Sequence, residues 1–281
     1  MTVIACHRGK VLQHTWLQEE NNMKKKIMAA VLVTVMAASV LTGCGSKGGD
    51  KTFTVGFDAE YPPYGYMDDN GEYTGFDLEL AEKVCEMEGW TLEKKPIDWN
   101  SKDMELESGA IDCIWNGFTV DGREDDYTWS QPYVDNSQVI VVAEDSGIST
   151  LADLAGKTVG VQAASAALTL LQEDQAELAG TFAGLQEFAD YNSAFVELQA
   201  GSVDAVAMDV GVANYQIKTR GEGYTILPEV LNSEKYAVGF KKGNTELCDI
   251  VDADLTKLAE DGTIAELAEK YDIADLICIG K

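Results

Sequence analysis

The sequence predicts an α/β fold built from two similar lobes, and three observations carry that expectation. Short apolar strands alternate with amphipathic helices from about residue 51 onward. A nine-residue pattern occurs twice: Leu106-Glu107-Ser108-Gly109-Ala110-Ile111-Asp112-Cys113-Ile114 is echoed 92 residues later by Leu198-Gln199-Ala200-Gly201-Ser202-Val203-Asp204-Ala205-Val206. Each copy reads as a helix end, a glycine able to close it left-handed, and a buried strand. Two apolar stretches, Val139–Ala143 and Lys235–Phe240, fall where the chain would pass between lobes. The expected layout is a first lobe from residues 51–140 and 236–281, with a second lobe, 145–233, inserted into it. Two crossings make a hinge.

The first 50 residues stand apart from that fold. Met23-Lys24-Lys25-Lys26 is a basic start, Ile27–Leu41 is apolar, and Leu41-Thr42-Gly43-Cys44 follows. The apolar run of about 15 residues falls short of the roughly 20 a membrane span needs. Small residues before a cysteine resemble a lipobox, which implies acylation of Cys44 and cleavage ahead of it. Residues 23–43 are then a lipoprotein signal peptide, and 44–50, with Gly45-Ser46-Lys47-Gly48-Gly49, a flexible tether. Residues 1–22 lack leader character and are read as an upstream start extension without function.

Charge narrows the function further. Of 21 basic and 48 acidic residues, the segment 1–43 holds five and two, so the mature chain keeps 16 and 46, a net charge of −30. So acidic a chain avoids nucleic acid and is repelled by anionic headgroups. Its lipid, not its charge, must hold it at a membrane. Both histidines, His7 and His14, precede the cleavage point, which excludes most histidine-based metal sites, triads and proton shuttles. No cofactor and no metal is expected. Cys85, Cys113, Cys248 and Cys278 show no CxxC spacing, and Cys85 and Cys113 sit in apolar patterns that suit buried free thiols.

Along the fold, a short strand from Val55 ends in Asp58-Ala59-Glu60-Tyr61-Pro62-Pro63-Tyr64, a carboxylate and rings at a strand's carboxyl end, where open α/β sheets bind ligands. Asp69-Asn70-Gly71 is a hairpin turn, and the EF-hand spacing that would make it a calcium loop is absent. Gly75-Phe76-Asp77 opens a helix with Leu80, Val84 and Met87 at i, i+4, i+7. Thr150-Leu151-Ala152-Asp153 resembles a capping box, with Gly156 and a strand Lys157–Val161 beyond. Helices are expected over Ala164–Leu178, Leu247–Asp261 and Thr263–Tyr271, and an alternating strand over Tyr236–Phe240.

The echo also locates chemistry. Asn116 and Asp209 leave the carboxyl ends of equivalent strands on opposite lobes, and Arg123 follows Asn116 closely. The strand ending at Val161 runs through Gln162-Ala163-Ala164-Ser165-Ala166 into a helix start, whose free N–H groups favour an anion. A guanidinium, a helix start and a carboxylate in one crevice complement a zwitterion. Arginine supplies a bidentate partner for a carboxylate, and Asp209 an acceptor for an ammonium. Four to six charge-assisted bonds at roughly 1.5–3 kcal/mol each, less ordering costs, reach about −8 kcal/mol, or micromolar affinity.

Gly117-Phe118-Thr119-Val120-Asp121-Gly122-Arg123, followed by Tyr127-Thr128-Trp129-Ser130-Gln131-Pro132-Tyr133, resembles the carboxylate-binding segment of the polar amino-acid-binding family of extracytoplasmic solute-binding proteins, the family 3 type of ABC importer subunit. The opening at Val55–Leu80 resembles that family too, and the likeness covers nearly all of residues 51–275. It implies a periplasmic-binding-protein-like fold of type II. It implies that Arg123 grips the ligand's α-carboxylate with Thr119, and that Asp209 takes the ammonium with backbone near Asn116 and Gly117. Asp58, Tyr61 and Trp99 would line the side-chain pocket, and Ala164, Ser165 and Ala166 the second-lobe loop. The chain departs from the family in its shortened Asp121-Gly122-Arg123 run, in Ala164-Ser165-Ala166 where Gly-Thr-Thr or Gly-Ser-Ser is common, and in Asn116-Gly117 where serines are common.

Plainer readings stand beside each residue. Arg123 precedes Glu124, Asp125 and Asp126, a ready surface ion pair. Asp209 can cap the helix that follows, Asp58 can close a turn, Tyr61 and Trp99 can be core, and Ser165 a cap alone. The expected activity is capture of a free polar amino acid and its delivery to an ABC permease by a lipid-anchored monomer on the outer face of the cytoplasmic membrane, without bond-making chemistry. Rivals are a dehydratase-like periplasmic enzyme acting on small carboxylates, for which Asp58 or Glu60 would serve though neither is visibly paired with a second acid, and a receptor's sensor domain. Asp58 would suit a cationic side chain or the amide of glutamine, and the sequence leaves that choice open.

Overall fold

The computed structural model describes residues 51–280. The expected extension 1–22, leader 23–43, acylated Cys44 and tether lie outside the described residues. The strands run β1 (Thr52–Phe57), β2 (Glu60–Tyr61), β3 (Gly65–Met67), β4 (Tyr73–Thr74), β5 (Thr91–Pro96), β6 (Cys113–Ile114) and β7 (Tyr127–Trp129). There follow β8 (Val134–Ala143), β9 (Thr158–Gln162), β10 (Gly184–Phe188), β11 (Ala205–Asp209), β12 (Tyr224–Ile226) and β13 (Asn232–Tyr236), before β14 (Gly239–Lys241) returns. One sheet has the order β5-β1-β6-β14-β7, and a second the order β10-β9-β11-β8-β12, with β13 also on β8. The hairpin β2-β3-β4 makes a third.

The echo is a structural repeat. Helices Lys102–Ser108 and Tyr191–Ala200 both close on a left-handed glycine, Gly109 at φ 75° and Gly201 at φ 72°. Each is followed by a strand, β6 or β11, that pairs in parallel with β1 or β9. Even the anchoring bonds match: Asp112 accepts from Thr54 N at 2.7 Å and Asp204 from Thr158 N at 2.8 Å. Thr54-Val55-Gly56-Phe57-Asp58 and Thr158-Val159-Gly160-Val161-Gln162 are therefore corresponding segments. Each strand starts before its neighbour does, so one N–H on that side needs a partner, and an aspartate just before the neighbouring strand supplies it.

Three expectations are corrected. The sequence places residues 134–140 in the first lobe, but β8 begins at Val134 and pairs with β11, β12 and β13, so they belong to the second sheet. Val139–Val142 are buried on both faces, as a central strand requires, and do not form a crossing. Lys235–Phe240 is not one strand. Ala237 N turns to Phe118 O (3.1 Å) and Val238 N to Ser130 Oγ (2.9 Å), so the ladder to β8 stops at Tyr236 and the chain re-pairs in the first sheet as β14. The helix expected over Ala164–Leu178 is Ala166–Gln172 plus a separate turn, Ala176–Ala179. Ala164 at φ 54° prevents an earlier start, and Glu173 leaves helical geometry.

Elsewhere the patterning is followed closely. The capping box of Thr150 and Asp153 forms, on the short 3-10 helix Leu151–Leu154. Helix Phe76–Glu88 buries Phe76, Leu80, Ala81, Val84 and Cys85, while Met87 is exposed. Cys85, Cys113, Cys248 and Cys278 are free thiols, the first three buried. Between the two sheets five buried tyrosines, Tyr61, Tyr64, Tyr133, Tyr191 and Tyr236, join one continuous core, with Tyr64 and Tyr236 edge-to-face at 5.2 Å. Each such ring removed from water stabilises the junction by about 1.5–3 kcal/mol.

Candidate functional site

Three loops leave strand ends and meet between the sheets: Asn116–Arg123 after β6, Ala163–Ala166 after β9, and the start of the helix Val210–Arg220 after β11. They close on a tight cavity of about 10 Å³. Tyr61, Trp99, Gly117, Thr119 and Arg123 line it from the first sheet's side, and Ser165, Ala166 and Asp209 from the second. Phe118 and Gln162, which sequence reasoning did not single out, complete the wall. That is room for about one water, so the lobes must part to admit a guest. Of the expected residues, Asp58, Asn116 and Ala164 do not line this cavity.

Arg123 is held by its backbone and left free at its tip. Its N–H closes a turn on Val120 O (2.8 Å), its carbonyl accepts from Trp129 Nε1 (3.1 Å), and Val120 N is tied to Lys235 O (2.9 Å). The half-buried guanidinium lies 5.2 Å from the Phe118 ring centre and reaches only Thr119 O, at 3.5 Å. No carboxylate among the described residues lies within 4.0 Å of it. The surface ion pair with Glu124, Asp125 or Asp126 does not form.

Asp209, 3 % exposed, precedes its helix without a capping bond from its side chain. Its Oδ1 instead accepts from Gln138 Nε2 (2.6 Å), Asn136 Nδ2 (2.8 Å) and the Tyr236 hydroxyl (2.6 Å). Its Oδ2 has only the Tyr191 hydroxyl at 3.3 Å. One oxygen is saturated and the other is open to a further donor.

Asp58, expected to face the ligand's side chain, is engaged within the protein itself. Gln162 Nε2, from the corresponding position of the opposite strand end, donates to Asp58 Oδ2 at 2.6 Å, and Glu60 N to Oδ1 at 2.8 Å. Burial pushes the Asp58 carboxyl up to about 6, with these two bonds opposing the rise. Asn116 Oδ1 accepts from Asp58 N (2.8 Å), so Asn116 braces the strand end and is buried behind the wall. Gly117 has φ 55°, and a Cβ there would stand 2.9 Å from the Tyr61 ring. Its N–H donates to Asp77 Oδ2 at 2.6 Å, while Tyr133 donates to Asp77 Oδ1 at 2.8 Å. Full burial raises the Asp77 carboxyl to about 7 against those bonds.

Thr119 donates to Glu234 Oε1 at 2.8 Å, and Ser165 caps its helix by accepting from Leu168 N at 3.1 Å. Trp99 meets Phe118 edge-on at 5.6 Å. Glu234, Asn136 and Gln138 surround Asp209 and were not foreseen. Their one visible signal is the polar alternation of Asn136 and Gln138 ahead of an apolar run. Among the described residues no group of three histidine, cysteine or acidic side chains is placed to hold a metal ion, and no helix is long and apolar enough to cross a membrane.

Two sheets joined by two crossings, with a polar cavity between the strand ends, define the two-lobed type II periplasmic-binding-protein fold. A substrate-binding protein of an ABC uptake transporter from Streptococcus pneumoniae, solved with bound histidine, matches it at a TM-score of 0.78 and 33 % identity, over 80 % of this chain and 94 % of that one. An ancestral arginine-binding protein bound to glutamine matches at 0.72 and 35 %, over 80 % and 100 %. Residues 53–273 match the model of the bacterial extracellular solute-binding proteins, family 3, and the chain belongs to that family. Relatives include an arginine-binding extracellular protein of Bacillus subtilis, 30 % identical over 89 % of this chain and 98 % of its own. An L-cystine-binding protein of Escherichia coli is 28 % identical over 89 % and 94 %.

Proposed function

We propose that this chain captures a free polar amino acid between its lobes and hands it to an ABC permease. The observation that carries the reading is the pair of unfilled countercharges on one small cavity: the Arg123 guanidinium without a carboxylate, and Asp209 Oδ2 without a full donor. A zwitterion's carboxylate and ammonium answer both, and leaving either pole unpaired in so dry a space costs several kcal/mol. Arg123, Thr119 and the N–H groups at Ser165 and Ala166 hold the carboxylate. Asp209 takes the ammonium, and Tyr61, Trp99 and Gly117 frame the side chain. Asp58 and Asn116 support the wall from behind. Relatives named for cystine, arginine and histidine support an amino-acid ligand.

The crossings near residues 130–134 and 236–239 act as the hinge, with the lobes divided there. Cys44 carries the lipid that keeps the protein at the outer face of the cytoplasmic membrane, as a monomer beside its permease. The protein makes and breaks no bonds. Calorimetric titration with the twenty L-amino acids tests the reading: one or more binds with near-micromolar affinity, and silence from all twenty refutes it. Expressed in a bacterium fed a labelled fatty acid, the wild-type protein takes up the label and Cys44→Ala does not. Absence of label from the wild type removes the anchor from the proposal.

A further inference from the structure

Glu234 belongs to none of the motifs that single out the site. It sits on β13 directly opposite Asn136 of β8, and two residues along β8 on the same face Gln138 sits opposite Asp209 of β11. The register thus sets two acids on flanking strands and two amides on the strand between. The amides bridge the acids. Asn136 Nδ2 lies 2.8 Å from both Asp209 Oδ1 and Glu234 Oε1, and Gln138 Nε2 lies 2.6 and 2.8 Å from the same two oxygens. An NH₂ group has two hydrogens, and each amide gives one to either acid.

Thr119 adds a third donor to Glu234 Oε1 (2.8 Å), as Tyr236 does to Asp209 Oδ1 (2.6 Å). Glu234 Oε2, like Asp209 Oδ2, is poorly filled, its contact being Asn232 Nδ2 at 3.5 Å. All four members are buried, Glu234 being 5 % exposed. Among the described residues no lysine or arginine nitrogen lies within 4.0 Å of either acid. Two bare anions in a dry site without a cation are strongly disfavoured.

We propose that Glu234 is a positioning residue for the ligand's ammonium, and that the ligand-free Asp209–Glu234 pair holds one proton which the arriving ammonium displaces into solvent. This rests on the amino-acid-capture reading. Glu234 draws Asn136 and Gln138 onto Asp209 Oδ1 and so leaves Oδ2 presented to the cavity. One positive charge enters as another leaves, so the net charge of the site is unchanged. The direction of titration agrees: burial, then the adjacent Asp209, raises the Glu234 carboxyl above its ordinary range.

The other ionisable groups around Glu234 do not supply that charge. Arg123, Asp121, Glu173 and Asp174 share a groove with it, and Tyr64, Tyr191 and Tyr236 are phenols whose ionisation is pushed up by burial. On its own strand Lys235 is engaged by Asp135 at 2.6 Å.

The test is titration calorimetry in buffers of different ionisation enthalpy, from about pH 5 to about pH 8. The probe is the tightest binder among the twenty L-amino acids, with its α-hydroxy acid counterpart, which lacks the ammonium, as comparison. Wild type should release up to one proton per bound amino acid, and its affinity should rise by up to tenfold per pH unit across the window of release. The hydroxy acid should release none. Glu234→Gln should bind without release and with a flat pH profile, a result that a purely structural role would not give. Binding by wild type with no buffer-dependent heat, or release that persists in E234Q, overturns the proposal. Should E234Q not fold, the wild-type contrast between amino and hydroxy acid decides. Absence of all binding refutes the capture reading itself, and is distinct from binding without proton release.

Discussion

Removing Arg123 separates binding from folding more cleanly than any other change in the cleft. In the closed protein its guanidinium makes one marginal bond, 3.5 Å to Thr119 O, and lies over Phe118. Exposed cation–π contacts contribute roughly 0.5–1 kcal/mol, so Arg123→Ala should lower the thermal midpoint by a few degrees at most. Its effect on binding should be far larger. A bidentate grip on a carboxylate comprises two charge-assisted bonds at about 1.5–3 kcal/mol each. Losing both removes about 3–6 kcal/mol, a weakening of roughly two to four orders of magnitude. Calorimetric titration and a thermal melt on the same sample measure the two effects. An affinity within about threefold of wild type, with an intact fold, would refute the role given to Arg123.

Three further outcomes follow from buried groups. Asp77, raised to about 7 by burial, binds a proton more readily folded than unfolded, so its ionisation destabilises the fold as pH rises from about 4 to about 7, by on the order of 4 kcal/mol. Asp77→Asn should therefore gain thermal stability over wild type as pH rises through that window, and a constant difference in melting midpoint would contradict the assignment. Gln162→Leu removes the 2.6 Å donor to Asp58 and a 3.1 Å bond to Ala189 O, so the ligand-free protein should open, seen as a larger radius of gyration in small-angle scattering. An unchanged radius would show that this bond does not hold the lobes. Gly117→Ala forces a side chain into φ 55° and against Tyr61 and Tyr236, costing about 1–2 kcal/mol for the backbone alone. The melting midpoint should drop by several degrees and affinity should fall, and wild-type values for both would refute the strain.

Much of the architecture was legible because it is written in local patterns. The helix-glycine-strand echo is contiguous in sequence, and its two copies fold alike down to the Asp112 and Asp204 anchors. Strand ends that carry Asn116–Arg123, Ser165 and Asp209 could be traced to one crevice from the same repeat, and the structure brings most of those residues to one cavity. Long-range pairing was not legible. Where the chain passes between lobes depends on β8 pairing with β11 and β13, 63 to 102 residues away, and nothing within Val134–Ala143 marks that. For the same reason the acid-amide quartet was invisible: Glu234 and Asn136 become neighbours only through register. Asp58 was correctly read as sitting at a strand end, yet its partner, Gln162, comes from 104 residues downstream.

That last contact has a consequence for how a clamshell made of two like halves can shut. Closing such a molecule drives counterpart positions toward one another, because each half offers the tip of the same strand. Identical residues there would collide as like with like, and two aspartates would repel across the seam. One half offers an acceptor at Asp58 and the other a donor at Gln162, so a single difference between the copies turns mutual repulsion into a clasp. The asymmetry of the pair, rather than the likeness of the lobes, lets this protein draw shut.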